Sequence, residues 1–394
     1  MSIGTLFATR QRTSRSPKGR HWRRATSALL VLSAFTTIPV VANDPDVNAN
    51  NPIESHSERI DSYQPRFGRT RPVIAVVGEN VGTELVDFVV PYGVLSRADV
   101  ADVVTVATHE GPMQMRPALA IQAESTLGSF DERFPDGADY VIVPAVMSMD
   151  DHSPPLLVNW IQAQAGKGAS VISICDGALT VAKAGLFKGH RATGHWATQS
   201  KREHDFPDTQ WLKNTRYVAD GKVISSAGVT AAIPLSLALV EAIAGSNRAS
   251  QVAEGLGLDA WSSEHDSSAF HLSTGIYLLA IRNWILPSQE IGLQVAAGVD
   301  ELALALTADT WSRTYRSRAY AVADSPGVIR TQHGLTLIPD RIVGQAKMPR
   351  RLRPTAAGTP SMQVLDDSLA EISKSYGRST ANFVALQLEY PGPQ

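Results

Sequence analysis

Near-continuous runs of valine and isoleucine recur through the first half of the chain and alternate with segments of helical spacing. "RPVIAVVG" at 71–78, "DYVIVPA" at 139–145 and "ASVISIC" at 169–175 are three of these runs. A strand with one solvated face alternates apolar and polar residues, whereas the strands of a parallel sheet covered on both faces are apolar throughout. The pattern therefore predicts an α/β fold, a parallel sheet with helices on both faces.

The length and composition are those of a chain with two compact units. The 394 residues are 43% hydrophobic and 19% charged, which is an ordinary globular composition. A long apolar helical stretch that ends at Gly245 closes the first unit, predicted to span 71–245. Residues 246–394 are predicted to be an α+β carboxyl-terminal extension. Its last forty or so residues are richer in Pro, Arg, Ser and Gly and are expected to form a loosely packed tail.

The extension contains a partial internal repeat of the first unit. "VATHEGPMQMRPALAI" at 106–121 and "VADSPGVIRTQHGLTL" at 322–337 share Val, Ala, Gly and Leu at one constant offset, which relates Val106 to Val322 and Leu119 to Leu335. Self-similarity at a fixed offset indicates that one supersecondary unit occurs twice. The second copy has no cysteine, so it is expected to be structural.

The amino-terminal segment has the features of an export signal. Residues 1–24 hold seven basic and no acidic residues, and "ATSALLVLSAFTTIPVVA" follows at 25–42. A signal peptide at 1–42 and a disordered linker at 43–70 are predicted, which places the protein in the periplasm or outside the cell, or tethered to the membrane if the signal is not cleaved. Sec and twin-arginine export both stay open, and a basic tail from a wrongly chosen start codon is the alternative.

The charge balance limits the classes of partner. The formal net charge is −2, without a basic face that would attract nucleic acid. The apolar run at 25–42 is short for a stable membrane span, so none is expected after signal removal. A small-molecule substrate or ligand is the expected partner, and neither a cofactor nor a metal ion is expected.

The single cysteine of the chain, Cys175, follows an apolar run and precedes Asp-Gly and a helical segment. A nucleophile at a sharp strand-to-helix turn projects above the carboxyl edge of the sheet. The amino-terminal end of the following helix is expected to lower the pKa of the thiol. A buried and unreactive cysteine is the alternative reading.

The segment "CDGALTVAKAGLFKGHRATGHW" at 175–196 resembles the nucleophile turn of the PfpI superfamily, which has the flavodoxin-like fold of class I glutamine amidotransferases. The ending at 189–196 is most similar to the branch of isonitrile hydratases and AraC-type sensor domains. The resemblance covers about 71–245. It implies the same fold and a homodimer for this chain.

The resemblance also implies a carboxylate partner for the thiol. In that superfamily an acidic residue of the first helix, four positions before a proline, hydrogen-bonds the cysteine sulfur. Asp87 stands four residues before Pro91 in "VDFVVPYG". A carboxyl group beside a thiol can share a proton with it and act as an acid or a base. A solvated helix residue is the alternative for Asp87.

Four further residues complete the candidate site. His195 is expected either to act as a base near the thiol or to be a structural histidine. Asp176 either supplies a second carboxylate or caps the following helix. The backbone amides of Ala145 and Gly177 are expected to hold a developing negative charge, although Ala145 stands where that branch commonly has glycine.

Two functions from different classes follow. The first is an exported cysteine-dependent hydrolase or hydratase-like enzyme for a small electrophile, such as an isonitrile, an amide or a reactive carbonyl. The second is a non-catalytic sensor module related to the AraC-type sensor domains, here without a DNA-binding domain. A degenerate protein with a merely oxidisable cysteine is a third reading.

Overall fold

The computed structural model describes residues 58–147, 154–345, 348–349, 351–354 and 358–391. The predicted signal peptide at 1–42 and the part of the predicted linker at 43–57 lie outside these residues. Among the described helices, none combines the length and the apolar character that a membrane crossing requires.

The first unit alternates strands with helices. Its strands are β1 (Val73–Gly78), β2 (Val81–Glu84), β3 (Asp102–Ala107), β4 (Pro112–Arg116), β5 (Ala120–Gln122), β6 (Ser125–Thr126), β7 (Tyr140–Val143), β8 (Ser170–Ser173), β9 (Arg191–Ala192), β10 (Gln210–Trp211), β11 (Tyr217–Asp220) and β12 (Val223–Ser226). Its α-helices are α1 (Leu85–Ala98), α2 (Leu127–Arg133), α3 (Pro155–Gly166), α4 (Gly177–Lys183), α5 (Gln199–Asp205), α6 (Ala232–Ala244) and α7 (Ser246–Leu256).

Seven of these strands form the main sheet, in the spatial order β11-β12-β8-β7-β1-β3-β6. All neighbours are parallel except the β11–β12 pair. Ile74 and Val76 belong to the hydrophobic cluster on one face, and Val73, Ala75 and Val77 to the cluster on the other. The apolar runs are therefore strands buried on both faces, and the predicted α/β fold is confirmed.

The second part of the chain contains a smaller sheet with its own helices. Its elements are α8 (Thr274–Ile285), β13 (Gln289–Gln294), α9 (Glu301–Ser312), β14 (Ser317–Ala323), β15 (Ile329–Arg330), β16 (Thr336–Ile338), β17 (Arg341–Ile342), β18 (Arg351–Pro354), α10 (Ser361–Tyr376) and α11 (Arg378–Leu388). Strands β17-β14-β13-β18 form a parallel sheet. Another sheet, β15-β16-β5-β4-β2, joins the two parts of the chain, and α9 packs against α1.

Residues 361–388 are not a loosely packed tail, contrary to the expectation from composition. They form α10 and α11, which pack against each other and bury Leu365, Ile372, Phe383 and Val384. Composition alone missed this because the apolar residues recur at helical spacing among many polar ones.

Residues 58–70 of the predicted linker lie against the first unit. Glu58 pairs with Arg191 at 2.8 Å, and Arg69 pairs with Asp139 at 2.9 Å. The carboxylates of both pairs are nearly buried. The prediction of disorder is therefore wrong for this stretch, because ion pairs hold a segment that has no apolar period of its own.

Candidate active site

Cys175 lies in a strained turn between β8 and α4. Its φ is +56°, a left-handed conformation that residues other than glycine rarely adopt. The turn closes with a hydrogen bond from the Gly177 amide to the Ile174 carbonyl at 2.8 Å. A Cβ at Gly177 would lie 2.0 Å from the carbonyl oxygen of Val143, so only glycine fits there. The end of β7 thus fixes the backbone that presents the thiol at the carboxyl edge of the sheet.

Asp87 of α1 is fully buried on the side of the sheet where the thiol lies. Its Oδ2 accepts a hydrogen bond from the Ala145 amide at 3.1 Å, and its amide donates to the Glu84 carboxylate at 2.5 Å. The other oxygen, Oδ1, is buried and accepts no hydrogen bond from the described residues. Burial raises the pKa of Asp87 to about 7. The alternative of a solvated helix residue is excluded, since the side chain is 0% exposed.

The thiol of Cys175 is harder to ionise than the sequence suggested. Burial raises its pKa well above the ordinary value, and the carboxyl groups of Asp87, Asp176 and Glu84 raise it further. A hydrogen bond from the Asp176 amide acts in the opposite direction. The expected lowering of the pKa by α4 is therefore wrong, because desolvation and three nearby carboxyl groups outweigh one helix end.

The charge of Asp87 acts on the Cys175 thiol, but among the described residues no hydrogen bond joins the two side chains, whereas the resemblance had implied one. Near neutral pH the Asp87 carboxyl is poised between its two protonation states, and its charge disfavours the thiolate. When Asp87 carries the proton, that repulsion is absent. Because the thiol has the higher pKa, the carboxylate beside a thiol is the favoured state, and transfer of the thiol proton to Asp87 is uphill.

Asp176 supplies a second carboxylate to the site and does not cap α4. It stands at the N-cap position, yet its side chain accepts no hydrogen bond from that helix. Its Oδ1 instead accepts from the Thr198 hydroxyl at 2.5 Å and lies 3.8 Å from Arg202 Nη1. The guanidinium of Arg202 is fully buried, so this carboxylate has a fixed cationic neighbour.

His195 lies near the thiol and has a partner on each ring nitrogen. Nδ1 accepts a hydrogen bond from the Ala197 amide at 3.3 Å, so Nε2 carries the proton and donates to the Gln387 carbonyl at 3.3 Å. The next residue, Trp196, donates from Nε1 to the Leu386 carbonyl at 3.1 Å. His195 is therefore close to the nucleophile, and the end of α11 fixes the orientation of its ring.

A sulfur, a carboxylate oxygen and an imidazole nitrogen come together at this point. One candidate ligand atom each from Cys175, Asp176 and His195 lies within 4.8 Å of the other two. Such a set resembles a site for a thiophilic metal ion. Both imidazole nitrogens and Oδ1 of Asp176 are engaged in hydrogen bonds, however, so the arrangement does not present a vacant ligand set.

The two amides expected to hold a negative charge have partners within the fold. The Ala145 amide donates to Asp87 Oδ2, and the Gly177 amide donates to the Ile174 carbonyl. A developing oxyanion would have to displace these bonds. The Asp176 amide instead hydrogen-bonds the cysteine sulfur itself.

Sequence reasoning missed a buried charge cluster behind Asp87. Arg313, from the second part of the chain, lies 2.5 Å from Glu84 Oε1 and 2.6 Å from Asp309 Oδ2. Burial raises the pKa of Glu84 well above its ordinary value, and the nearby Asp87 carboxyl adds to this effect. The sequence signal was a second acidic residue, Glu84, beside Asp87 within the apolar "GTELVDFVV".

The carboxyl-terminal end of α11 covers the site. Glu389, which has a φ of +55°, is 2% exposed and pairs with His265 at 2.7 Å. Thr230 donates its hydroxyl proton to the Glu389 carbonyl at 2.9 Å. A Cβ at Gly228 would lie 2.3 Å from the Glu389 side chain, so the first unit leaves room for this residue.

Comparison with known proteins identifies relatives of the first unit. Residues 73–242 match the sequence profile of the DJ-1/PfpI family. An isonitrile hydratase of Pseudomonas putida is 35% identical over 97 residues, which are 24% of this chain and 40% of that protein. The HTH-type transcriptional regulator CdhR of Pseudomonas aeruginosa is 35% identical over 100 residues, 25% of this chain and 30% of the regulator. The chain thus spans less than half the length of these two relatives.

A longer similarity of lower identity exists to a vertebrate protein. The Parkinson disease protein 7 homolog of Danio rerio is 25% identical over 173 residues, 43% of this chain and 89% of that protein. Among solved structures, Drosophila melanogaster DJ-1beta superimposes with a TM-score of 0.43 at 21% identity, covering 48% of this chain and 99% of that one.

Proposed function

The chain contains a DJ-1/PfpI family domain at residues 73–242, and from this we propose that it is a cysteine-dependent hydratase or hydrolase for a small electrophile. An isonitrile is the first substrate class to test, because an isonitrile hydratase is among the relatives. The observation that carries the proposal is the buried Asp87, whose pKa is about 7, whose Oδ1 accepts no hydrogen bond from the described part of the chain, and whose charge acts on the Cys175 thiol.

Hydration of an isonitrile fits this pair of groups. Asp87 takes the proton of the Cys175 thiol, the sulfur bonds to the isonitrile carbon, and the same carbon takes the proton back from the Asp87 carboxyl, which gives a thioimidate. Water then adds across the carbon–nitrogen double bond, with its hydroxyl on carbon and its proton on nitrogen; the carbon–sulfur bond breaks and the hydroxyl proton goes to the sulfur, which leaves as the thiol. The product is an N-substituted formamide, and the carboxyl and thiol together end with the proton they began with.

Replacing Cys175 with serine is expected to reduce turnover roughly a thousandfold, because the covalent step needs the sulfur. Asp87→Asn is expected to reduce it about a hundredfold, because the carboxyl proton is lost. The assay incubates the purified protein with alkyl isonitriles, primary amides and aldehydes and detects products by mass spectrometry. Asp136→Asn, the same change at an exposed carboxylate outside the site, is the matched control. A Cys175→Ser variant as active as the wild type would refute the proposal.

A non-catalytic ligand-binding module is the second candidate. The thiol is only 6% exposed, the amides of Ala145 and Gly177 are engaged, and the regulator CdhR is also a relative. This candidate predicts that the small molecules raise the melting temperature without being converted. It also predicts that Cys175→Ser retains that binding.

We propose further that residues 1–42 export the protein and are then removed. The basic stretch followed by an apolar run that ends at Ala42 supports this. Expression in a Gram-negative host should give a periplasmic protein whose amino terminus follows Ala42 or a residue close to it. A cytoplasmic protein that retains the basic stretch at 1–24 would contradict the proposal.

A further inference from the structure

Elements of the first unit recur in the second part of the chain at a constant distance along the sequence. One and the same offset relates Val73 to Gln289 at the starts of β1 and β13, Leu85 to Glu301 at the starts of α1 and α9, and Ala120 to Thr336 at the starts of β5 and β16. The spatial order also recurs, since β7-β1-β3-β6 of the main sheet corresponds to β18-β13-β14-β17. The similarity therefore extends well beyond the two segments at 106–121 and 322–337 that are similar in sequence.

A second correspondence, at a shorter constant offset, links the closing helices. Gly245 separates α6 from α7 with φ +85°, and Gly377 separates α10 from α11 with φ +93°. The left-handed residue after α7 is Gly257, and the one after α11 is Glu389. The offset is shorter because the second copy lacks one segment. In the first unit, Cys175 and α4 lie between β7 and α6, and no such segment lies between the corresponding elements β18 and α10.

The two copies meet in an interface with two-fold symmetry. Strands β5 and β16 are antiparallel, and Ile121 lies directly opposite Leu337, its own equivalent in the other copy. Their neighbours are exchanged in the same way, with Gln122 opposite Thr336 and Ala120 opposite Ile338. An interface in which each element contacts its own equivalent is the isologous kind that normally joins two identical subunits.

Two ion pairs across this interface are also equivalent. Arg97 lies 2.7 Å from Asp300, and Arg313 lies 2.5 Å from Glu84. The offset that relates β1 to β13 also relates Arg97 to Arg313 and Glu84 to Asp300. Both acidic residues are the N-caps of their helices, α1 and α9. The symmetry therefore extends to side-chain chemistry.

We propose that residues 289–391 are a shortened second copy of the unit at 73–257, that they take the place of a partner subunit, and that they complete the one cysteine site of the chain. The homodimer expected from the sequence is replaced in this proposal by a partner within the chain. The inference goes beyond the proposed function, because it concerns how the site is built and holds for a catalyst or a sensor.

The two equivalent ion pairs have different surroundings. The pair of Arg313 and Glu84 lies behind Asp87, whereas the equivalent of Asp87 in the second copy is Ala303. The second copy thus supplies the cation Arg313 to the site that contains Cys175. In return, the first unit supplies Arg97 to the equivalent place in the second copy, which has no cysteine. The second copy also supplies the Gln387 and Leu386 carbonyls that hold His195 and Trp196.

Arg313 is positioned to favour ionised groups in the site. Its charge lowers the pKa of Asp87 and of Glu84, and it attracts the Cys175 thiolate. The titratable and charged groups that face the thiol are Asp87, Glu84, Asp176, His195, Arg202 and Arg313. Without Arg313, less positive charge offsets the carboxyl groups of Asp87, Glu84 and Asp176. The Cys175 pKa should then rise, so thiolate formation should require a higher pH.

The test measures the alkylation rate of Cys175 by iodoacetamide from pH 6 to 10 in the full chain. Arg313→Gln is expected to slow labelling about tenfold at a fixed pH below the thiol pKa, since a nearby charge shifts a pKa by about one unit or more. Arg97→Gln removes the equivalent ion pair and is expected to leave the profile unchanged. Arg313→Lys keeps the charge and should restore most of the rate, even if Arg313→Gln folds poorly.

Equal shifts in Arg313→Gln and Arg97→Gln, no shift in either, or a failure of Arg313→Lys to restore the rate would overturn the role of the second copy in the site. The readout is alkylation and not turnover, so it decides the inference even if no substrate is converted. Sedimentation at micromolar concentration should give a single-chain mass, at most the 42.3 kDa of the whole sequence. A stable dimer would contradict the built-in partner.

Discussion

Replacing Gly177 with alanine is expected to lower the free energy of unfolding by about 3 kcal/mol. The new Cβ would lie 2.0 Å from the Val143 carbonyl oxygen and 3.0 Å from the Pro144 carbonyl group, so the turn that presents Cys175 has to move away from β7. Backbone atoms cannot yield as a flexible side chain would. Urea unfolding followed by circular dichroism measures the change.

Gly166→Ala is the matched control for this prediction. Gly166 is the last residue of α3, and a Cβ there would have nothing within 4 Å. Alanine is expected to be neutral or to stabilise the protein by up to about 1 kcal/mol, because it reduces the freedom of the unfolded chain. A Gly177→Ala variant within about 1 kcal/mol of the wild type would show that the close approach to β7 does not restrict this position.

Replacing Asp87 with asparagine is expected to stabilise the protein at pH 8 by about 3 kcal/mol and to have little effect at pH 4. The pKa of Asp87 is raised from 3.8 to about 7 in the folded protein, mainly by burial. The neutral form therefore contributes stability that is fully present below about pH 4 and is lost as the pH rises through 7. Asparagine cannot ionise and avoids this loss.

The measurement is the free energy of unfolding of wild type and Asp87→Asn at pH 4, 6 and 8. The wild type should lose stability across this range, and the variant should lose less of it. Some pH dependence should persist, because burial also raises the pKa of Glu84 and Asp309. Asp136→Asn should follow the wild type. A variant that is less stable than the wild type at pH 8 would show that the Asp87 charge is well compensated.

The main sheet could be predicted from the sequence because its physical cause is local. Strands covered on both faces have to be apolar at every position, and this leaves unbroken Val and Ile runs such as β1 and β7. The turn at Cys175 could be located for a related reason, since the end of such a run followed by Asp-Gly marks the edge of the sheet. Asp87 was identified from the resemblance to the PfpI superfamily, by its place four residues before Pro91.

The electrostatics of the site could not be predicted, because they depend on contacts between distant parts of the chain. Arg313 reaches Glu84 across 229 residues, and no local pattern records that meeting. The sign of the thiol pKa shift was predicted wrongly for the same reason. A helix end is visible in the sequence, whereas the burial of Cys175 and the gathering of carboxyl groups around it are properties of the folded chain.

Because Arg313 and Glu84 belong to one polypeptide chain, their ion pair does not depend on the protein concentration. Two separate subunits dissociate when their concentration falls below the dissociation constant, and a site that needs both then loses part of its structure. Two halves of one chain face each other at an effective concentration in the millimolar range, whatever the number of molecules present. The specific activity or ligand affinity of this site should therefore be the same at nanomolar as at micromolar protein.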